Sequence, residues 1–278
     1  MIVGRLWRLV RPIERITMKK LVVFFSVLAT GIALGSSCVA SAETPTDSLW
    51  LRAVDLSEQS RDLVPGTMES FMQEVDKHGK PKDDDKYRHS WGQLSLGGDG
   101  EVRYEPVKVI KDGDDITEEE QAKERERQEN DDKEDSNSFT SEGYTPFKEG
   151  AQDRMSIERL DETEMVDGKD LVVYKFVEHP DDGDDENDDK VTGTVWFDVA
   201  TGVPVKMEYT TDPLPKRVKR MITTMKYAYA APDTLVVRRM IMDATGGLLF
   251  IKKHFHVEMT FDEYWRLPEG YEESQQED

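Results

Sequence analysis

The chain has 278 residues, with 37 Lys and Arg against 58 Asp and Glu, a formal net charge of −21 and a hydrophobic fraction of 37%. So acidic a protein is a poor partner for nucleic acid, whose phosphates require clustered Lys and Arg, and for an anionic membrane surface. Its single cysteine, Cys38, lies near the N-terminus, so a product cut after Ala42 has no disulfide, thiolate metal site or cysteine nucleophile.

Met18-Lys19-Lys20 precedes an apolar run over residues 21–34, and Ala40-Ser41-Ala42 follows. A positive start, an apolar stretch and a small-x-small triplet predict a secretory signal peptide cleaved after Ala42, too short to favour a membrane span. Residues 1–17 are either an extended basic region or lie upstream of a true start at Met18. Removing the first 42 residues takes the net charge from −21 to −26. Cys38 leaves lipoprotein anchoring as the alternative; Gly35 occupies the position where a lipoprotein signal prefers Leu.

About 235 residues then remain, read as one β domain over residues 43–278. Leu49, Ala53, Leu56 and Leu63, widened by Trp50 and Val54, recur at helical spacing over residues 43–63, with Thr46 or Asp47 as cap and Pro65-Gly66 as stop. Residues 67–75, 87–96 and 101–110 read as strands of a small first sheet region. Residues 111–143 interrupt the pattern. Thr117 and Glu120 have capping-box spacing, and residues 118–133 favour helix but carry almost no apolar side chain, which predicts a polar, protruding or partly disordered insert.

A larger β region follows, with strands expected over 156–161, 171–178, 191–198, 203–211, 218–228, 235–244 and 248–261. The connections are short, including an acidic loop over 181–189 and a turn at Thr245-Gly246-Gly247, so neighbouring strands are antiparallel. In the last strand Leu249, Ile251, Phe255, Val257, Met259 and Phe261 alternate with Lys252, His254, His256 and Glu258. That is one face inside and one in water. Met207, Met221, Met225, Met240 and Met242 continue the apolar face on the neighbouring strands. Methionine is flexible and polarizable, and such a face either fills a core or adapts to an apolar ligand. A twisted sheet with one apolar face must close, stack or be lidded, and little helix is available to cover it.

The segment Gly193-Thr194-Val195-Trp196-Phe197-Asp198, followed by Ala200-Thr201-Gly202-Val203-Pro204-Val205-Lys206-Met207, resembles the strand-turn-strand of the outer-membrane lipoprotein-sorting (LolA-like) superfamily. The resemblance implies a mainly β fold: an open, half-closed antiparallel barrel with an N-terminal helix, binding acyl chains in its hollow, in the periplasm. The helical insert and the 181–189 loop depart from the compact pattern of that family, and no functional arginine of the family maps onto a residue here.

Other chemistry is sparse. His254 and His256 share a strand face but have no evident third metal ligand, and the run over 181–189 lacks the ligand order of a calcium loop. Gly-x-Ser-x-Gly, His-Glu-x-x-His and P-loop patterns are missing from the sequence, so no catalytic residue, metal or cofactor is expected. The expected activity is noncatalytic binding of a lipid or lipoprotein acyl chain. The expected apolar lining is Val195, Phe197, Met207, Met221, Met225, Met240, Ile251, Phe255 and Met259. Lys216, Arg217, Lys219 and Arg220, the one basic cluster, are expected either to meet a headgroup or partner or to guard an edge strand. The alternative is an interaction module that pairs the same open sheet with an envelope transporter or sensor protein.

Overall fold

The structure is a computed structural model that describes residues 47–98, 101–129, 144–166, 168–180, 190–231, 233–248, 251–268 and 271. The expected signal peptide, Cys38 and the 181–189 loop lie outside these residues.

Helix α1 (Ser48–Glu58) opens the described chain, with Asp47 as its N-cap accepting from the Leu49 amide at 3.0 Å. It buries Trp50, Ala53, Val54 and Leu56, the expected stripe. The helix ends earlier than its periodicity suggests. Ser60 donates its hydroxyl to the Leu56 carbonyl at 2.7 Å, and the same oxygen accepts from the Leu235 amide at 2.7 Å. That pair of bonds turns the chain, and Leu63 falls in a short strand, β1 (Leu63–Val64), paired with β13 (Trp265–Arg266) near the C-terminus.

The other strands are β2 (Thr67–Val75), β3 (Tyr87–Leu96), β4 (Val102–Lys111), β5 (Asp114–Asp115), β6 (Met155–Val166), β7 (Lys169–Glu178), β8 (Lys190–Asp198), β9 (Val203–Asp212), β10 (Val218–Tyr229), β11 (Leu235–Leu248) and β12 (Ile251–Asp262). They form one antiparallel sheet of eleven strands in the order β5-β4-β3-β2-β12-β11-β10-β9-β8-β7-β6. The two expected β regions are therefore halves of one sheet, joined where β12 pairs with β2 from His254↔Val75 to Asp262↔Thr67. Its edges, β4–β5 at one end and β6 at the other, do not pair among the described residues, so the sheet is a half-open barrel.

The expected turn at Thr245-Gly246-Gly247 is instead ladder. Gly246 pairs with Lys253 and Gly247 with Lys252, and the ladder runs on to Leu248↔Ile251. The glycines serve a close approach: a Cβ on Gly246 would lie 2.9 Å from the Arg217 carbonyl oxygen, which accepts from the Gly247 amide at 3.0 Å.

The described part of the polar insert, up to residue 129, is not a free excursion; residues 130–143 lie outside the described set. Helix α2 (Thr117–Glu129) lies along the β4 edge and binds its backbone. The Thr117 hydroxyl accepts from the Val109 amide at 2.9 Å, the Ile116 amide donates to the Val109 carbonyl at 2.9 Å, and Gln121 donates to the Pro106 carbonyl at 2.8 Å. Arg88 on β3 pairs with Glu120 at 2.7 Å with both side chains largely buried. The expected capping box does not form: Thr117 donates to Asp115, and Glu120 is held by Arg88 and Lys123. A helix polar all round thus seals a sheet edge by hydrogen bonding, a device that blocks edge-to-edge association.

Two substitutions test this architecture. A Cβ on Gly193 would meet the Phe176 ring and the Glu208 carbonyl at 2.5 Å each, so Gly193→Ala is expected to destabilise the protein by about 1–3 kcal/mol in urea denaturation. Thr117→Val leaves the Val109 amide without its acceptor, and hydrogen exchange at Val109 is expected to accelerate, with a loss of about 1 kcal/mol in stability. Unchanged Val109 exchange would show that α2 does not hold the edge.

Candidate functional site

The inner face of the sheet is defined by the strand residues that point toward α1. Register places Met259 opposite Met240, Met240 opposite Met225, Met225 opposite Met207, and Met207 opposite Val195. Five of the expected lining residues therefore form one row across β12, β11, β10, β9 and β8. A parallel row places Phe255 opposite Ala244 and Ala244 opposite Met221. Phe197 lies beyond the first row and is fully buried. Ile251 pairs with Leu248 at the far tip of the β11–β12 hairpin, and its side chain lies outside the described residues.

Most of these side chains are covered. Val195, Phe197 and Met207 are 0% exposed and Met221 and Met225 at most 2%, whereas Phe255 is half-buried. The cover comes from α1 and from residues 144–154, which include a 3₁₀ turn (Glu149–Arg154). Trp50 stands at the centre, with ring centroids 5.1 Å from Phe147, 6.1 Å from Tyr174 and from Phe176, and 6.3 Å from Phe197. Its indole donates to Gln152 at 2.8 Å, and the Gln152 amide nitrogen donates to the Pro146 and Lys148 carbonyls. Such a core tolerates a buried polar group because every hydrogen bond of that group is made. Phe147 and Gln152 gave no periodic signal in the sequence, since they lie in an irregular segment between the insert and β6.

The inner face is half filled. The β7–β10 side is occupied by Trp50 and Phe147, while Met72, Phe255, Ala244, Val218 and Leu214 are only partly buried. These residues form a partly buried apolar strip beside the filled half. At its rim Glu74 pairs with Lys82 at 2.7 Å and with Lys253 at 3.1 Å.

Lys216 and Arg217, in the connection from β9, and Lys219 and Arg220, at the start of β10, are all exposed. Arg217 has φ 73°, and its carbonyl is the one held by Gly247, so its backbone serves the sheet while its side chain is free to face solvent. On the outer face, His254 Nδ1 lies 2.8 Å from Thr245 Oγ1 and His256 Nδ1 2.8 Å from Asp243 Oδ1, so each imidazole is engaged by its cross-strand neighbour. Among the described residues no group of three His, Cys, Asp or Glu side chains is arranged to hold a metal ion, and no helix is long and apolar enough to cross a membrane.

Asp47 ties the covering helix to the sheet. Besides capping α1 it accepts from the Tyr174 hydroxyl at 2.7 Å and faces Arg159 at 3.4 Å. Burial alone would raise its pKa, but the Tyr174 hydroxyl, the Leu49 amide and Arg159 together hold it below the usual aspartate value.

No protein-family model matches the chain, and no curated protein matches it. Among solved structures, it is similar to an outer membrane lipoprotein-sorting protein domain from Vibrio parahaemolyticus, at 13% identity over 81% of this chain and 98% of that one, with a TM-score of 0.36. It is also similar to the Pseudomonas aeruginosa MucA/MucB complex structure, at 11% identity over 81% and 95% of the chains, with a TM-score of 0.22. A second structure of MucB, in complex with MucA(peri), matches at 10% identity over 81% and 94%, with a TM-score of 0.20.

Because Asp47 has a lowered folded pKa, its stabilising effect is present above the ordinary aspartate range and is lost as pH falls through the lowered value. Asp47→Asn is expected to cost about 1–2 kcal/mol at pH 7, as for loss of a charged cap with a buried partner. The difference from wild type should shrink below about pH 4 in urea melts; a difference independent of pH would assign the whole effect to neutral hydrogen bonds.

Proposed function

We propose that this is an exported, noncatalytic binding protein of the cell envelope, cut after Ala42, that holds a lipid or lipoprotein acyl chain against the inner face of its half-open barrel. The supporting observation is the continuity of that face: a methionine row across β12 to β9 leads beside a partly exposed apolar strip that no described helix covers. Thioether side chains repack around irregular tails at little cost. Carriage of lipoproteins toward an outer membrane is the specific activity this reading offers.

A second reading, an interaction module for an envelope transporter or sensor protein, is favoured by an aromatic strip on the outer face of β2 and β3. Phe71 lies 5.9 Å from Tyr87 and 5.5 Å from His89, His89 lies 3.7 Å from Trp91, and all four rings are half-exposed.

Native mass spectrometry with lipid extraction, on the full chain purified gently from its own envelope fraction, separates the two. Copurified acyl lipid is expected, and Phe255→Asp should abolish it while leaving a cooperative melt; Phe255 suits this test because the half-buried site tolerates a charge that Met221 or Met225 would not. A clean apo chain would move the assignment to the outer aromatic strip.

A further inference from the structure

On β12 the inward positions from 253 to 261 are Lys253, Phe255, Val257, Met259 and Phe261, and on β2 they are Met68, Ser70, Met72 and Glu74. Each strand therefore carries one charge on an otherwise apolar or hydroxyl-bearing face. Both charges stand at the same end of the sheet, where β2 finishes and β12 begins, because Glu74 is the ladder partner of Phe255. A charge at an inward position must be compensated.

The compensation is an ion triad. One Glu74 carboxylate oxygen accepts from the Lys82 ammonium at 2.7 Å, and the other lies 3.1 Å from the Lys253 ammonium. Lys82 is delivered by the connection from β2 to β3, whose Lys82 amide donates to the Glu74 carbonyl at 3.1 Å. Burial alone would raise the Glu74 pKa, but the two lysines hold it below the usual glutamate value, so the carboxylate stays ionised. The lysine side chains are 60% and 49% exposed and that of Glu74 is 22% exposed. Solvent thus reaches the two ammonium groups, while the carboxylate sits between them.

Two ammonium groups against one carboxylate leave a positive charge in a chain whose net charge is −21. Asp76 and Asp83, the neighbouring acids on the connection, turn their carboxylates to amides of that same connection. Arg217, an exposed cation, is tied by its carbonyl to the amide of Gly247, next to the Lys253 partner Gly246. Beside the triad lies apolar surface. The Lys253 ammonium stands 6.0 Å from the centroid of the half-buried Phe255 ring, Phe255 faces Ala244 across the ladder, and Met72 is the next inward residue before Glu74. A cationic end on a half-buried apolar strip is complementary to an amphiphile with an anionic head.

We propose that Lys253 and Lys82 bind the anionic head of a lipid whose tail lies along Phe255, Ala244 and Met72, and that Glu74 occupies the place of that head in the free protein. This rests on the acyl-binding reading and specifies the ligand class within it. Binding exchanges one anion for another between the same two ammonium groups, so no ammonium group loses its partner on either side of the equilibrium.

The probes are decanoate, 1-decanol and decyltrimethylammonium, titrated calorimetrically into the full chain at pH 7. They share a ten-carbon tail and differ in head charge. Wild type is expected to bind decanoate about fivefold to tenfold more tightly than decanol and decyltrimethylammonium most weakly, with the spread shrinking in 1 M salt. Lys253→Met, which keeps the apolar stem, should bring decanoate down to the level of decanol and leave decanol unchanged; Lys82→Met should act in the same direction. Glu74→Gln should raise decanoate affinity about threefold, a gain that a merely structural triad would not give. All three side chains are partly exposed, so each variant should keep a cooperative melt. Equal affinity of wild type for decanoate and decanol, or a loss of decanoate affinity in Glu74→Gln, would overturn the inference and leave the acyl-binding reading standing, with the triad reduced to a fastening of the β2–β3 connection. Failure of wild type to bind any of the three probes would overturn both.

Discussion

The packing of Trp50 is the interaction on which the rest of the molecule depends. An eleven-stranded sheet that does not close leaves a wide apolar face that must be covered. One indole carried on an eleven-residue helix fills the centre of that face, in contact with Phe147, Tyr174, Phe176 and Phe197. Its nitrogen is satisfied by Gln152, which in turn fixes the irregular segment that delivers Phe147. Asp47 and Ser60 then secure the two ends of the helix, to Tyr174 on β7 and to the Leu235 amide on β11. The cover is small relative to the face, and that ratio leaves the Met72–Phe255 side only partly buried.

The two ends of the sheet are treated differently, for physical reasons visible in the residues. At the β4 edge, Pro106 offers no amide and α2 takes up the free groups of Val109 and Pro106 through Ile116, Thr117 and Gln121. The helix has no apolar stripe because it buries none; its fixed points are polar. At the other edge β6 is interrupted by a register shift between Arg159 and Thr163 and carries Glu158, Asp161 and Glu164, features that resist pairing with a second strand. An open barrel with both edges defended in this way resists edge-to-edge association.

The inner face is built from adaptable side chains: thioethers align in one row from β12 to β9, flexible and polarizable, while the four cations over 216–220 stand exposed.

Much of this was legible in the sequence because its signals are local. Alternation in residues 251–261 marked the inside of β12; it placed Val257, Met259 and Phe261 among the buried residues, and the same period-two pattern located β2 and β3 to the residue. The stripe Trp50, Ala53, Val54 and Leu56 located α1 for the same reason. What required the tertiary structure was non-local: that β12 pairs with β2 and merges two β regions, that Gly246 and Gly247 serve the Arg217 backbone rather than a turn, and that a wholly polar helix seals an edge. Periodicity reports which face of an element is buried but not against what, and a hydroxyl reads the same in sequence whether it is paired or free. The sequence by itself determined the elements and the apolar face. Only the fold decided that the methionines align in one row and that Trp50 and Phe147 fill the β7–β10 side of the inner face, because each of these depends on contacts between elements far apart in the chain.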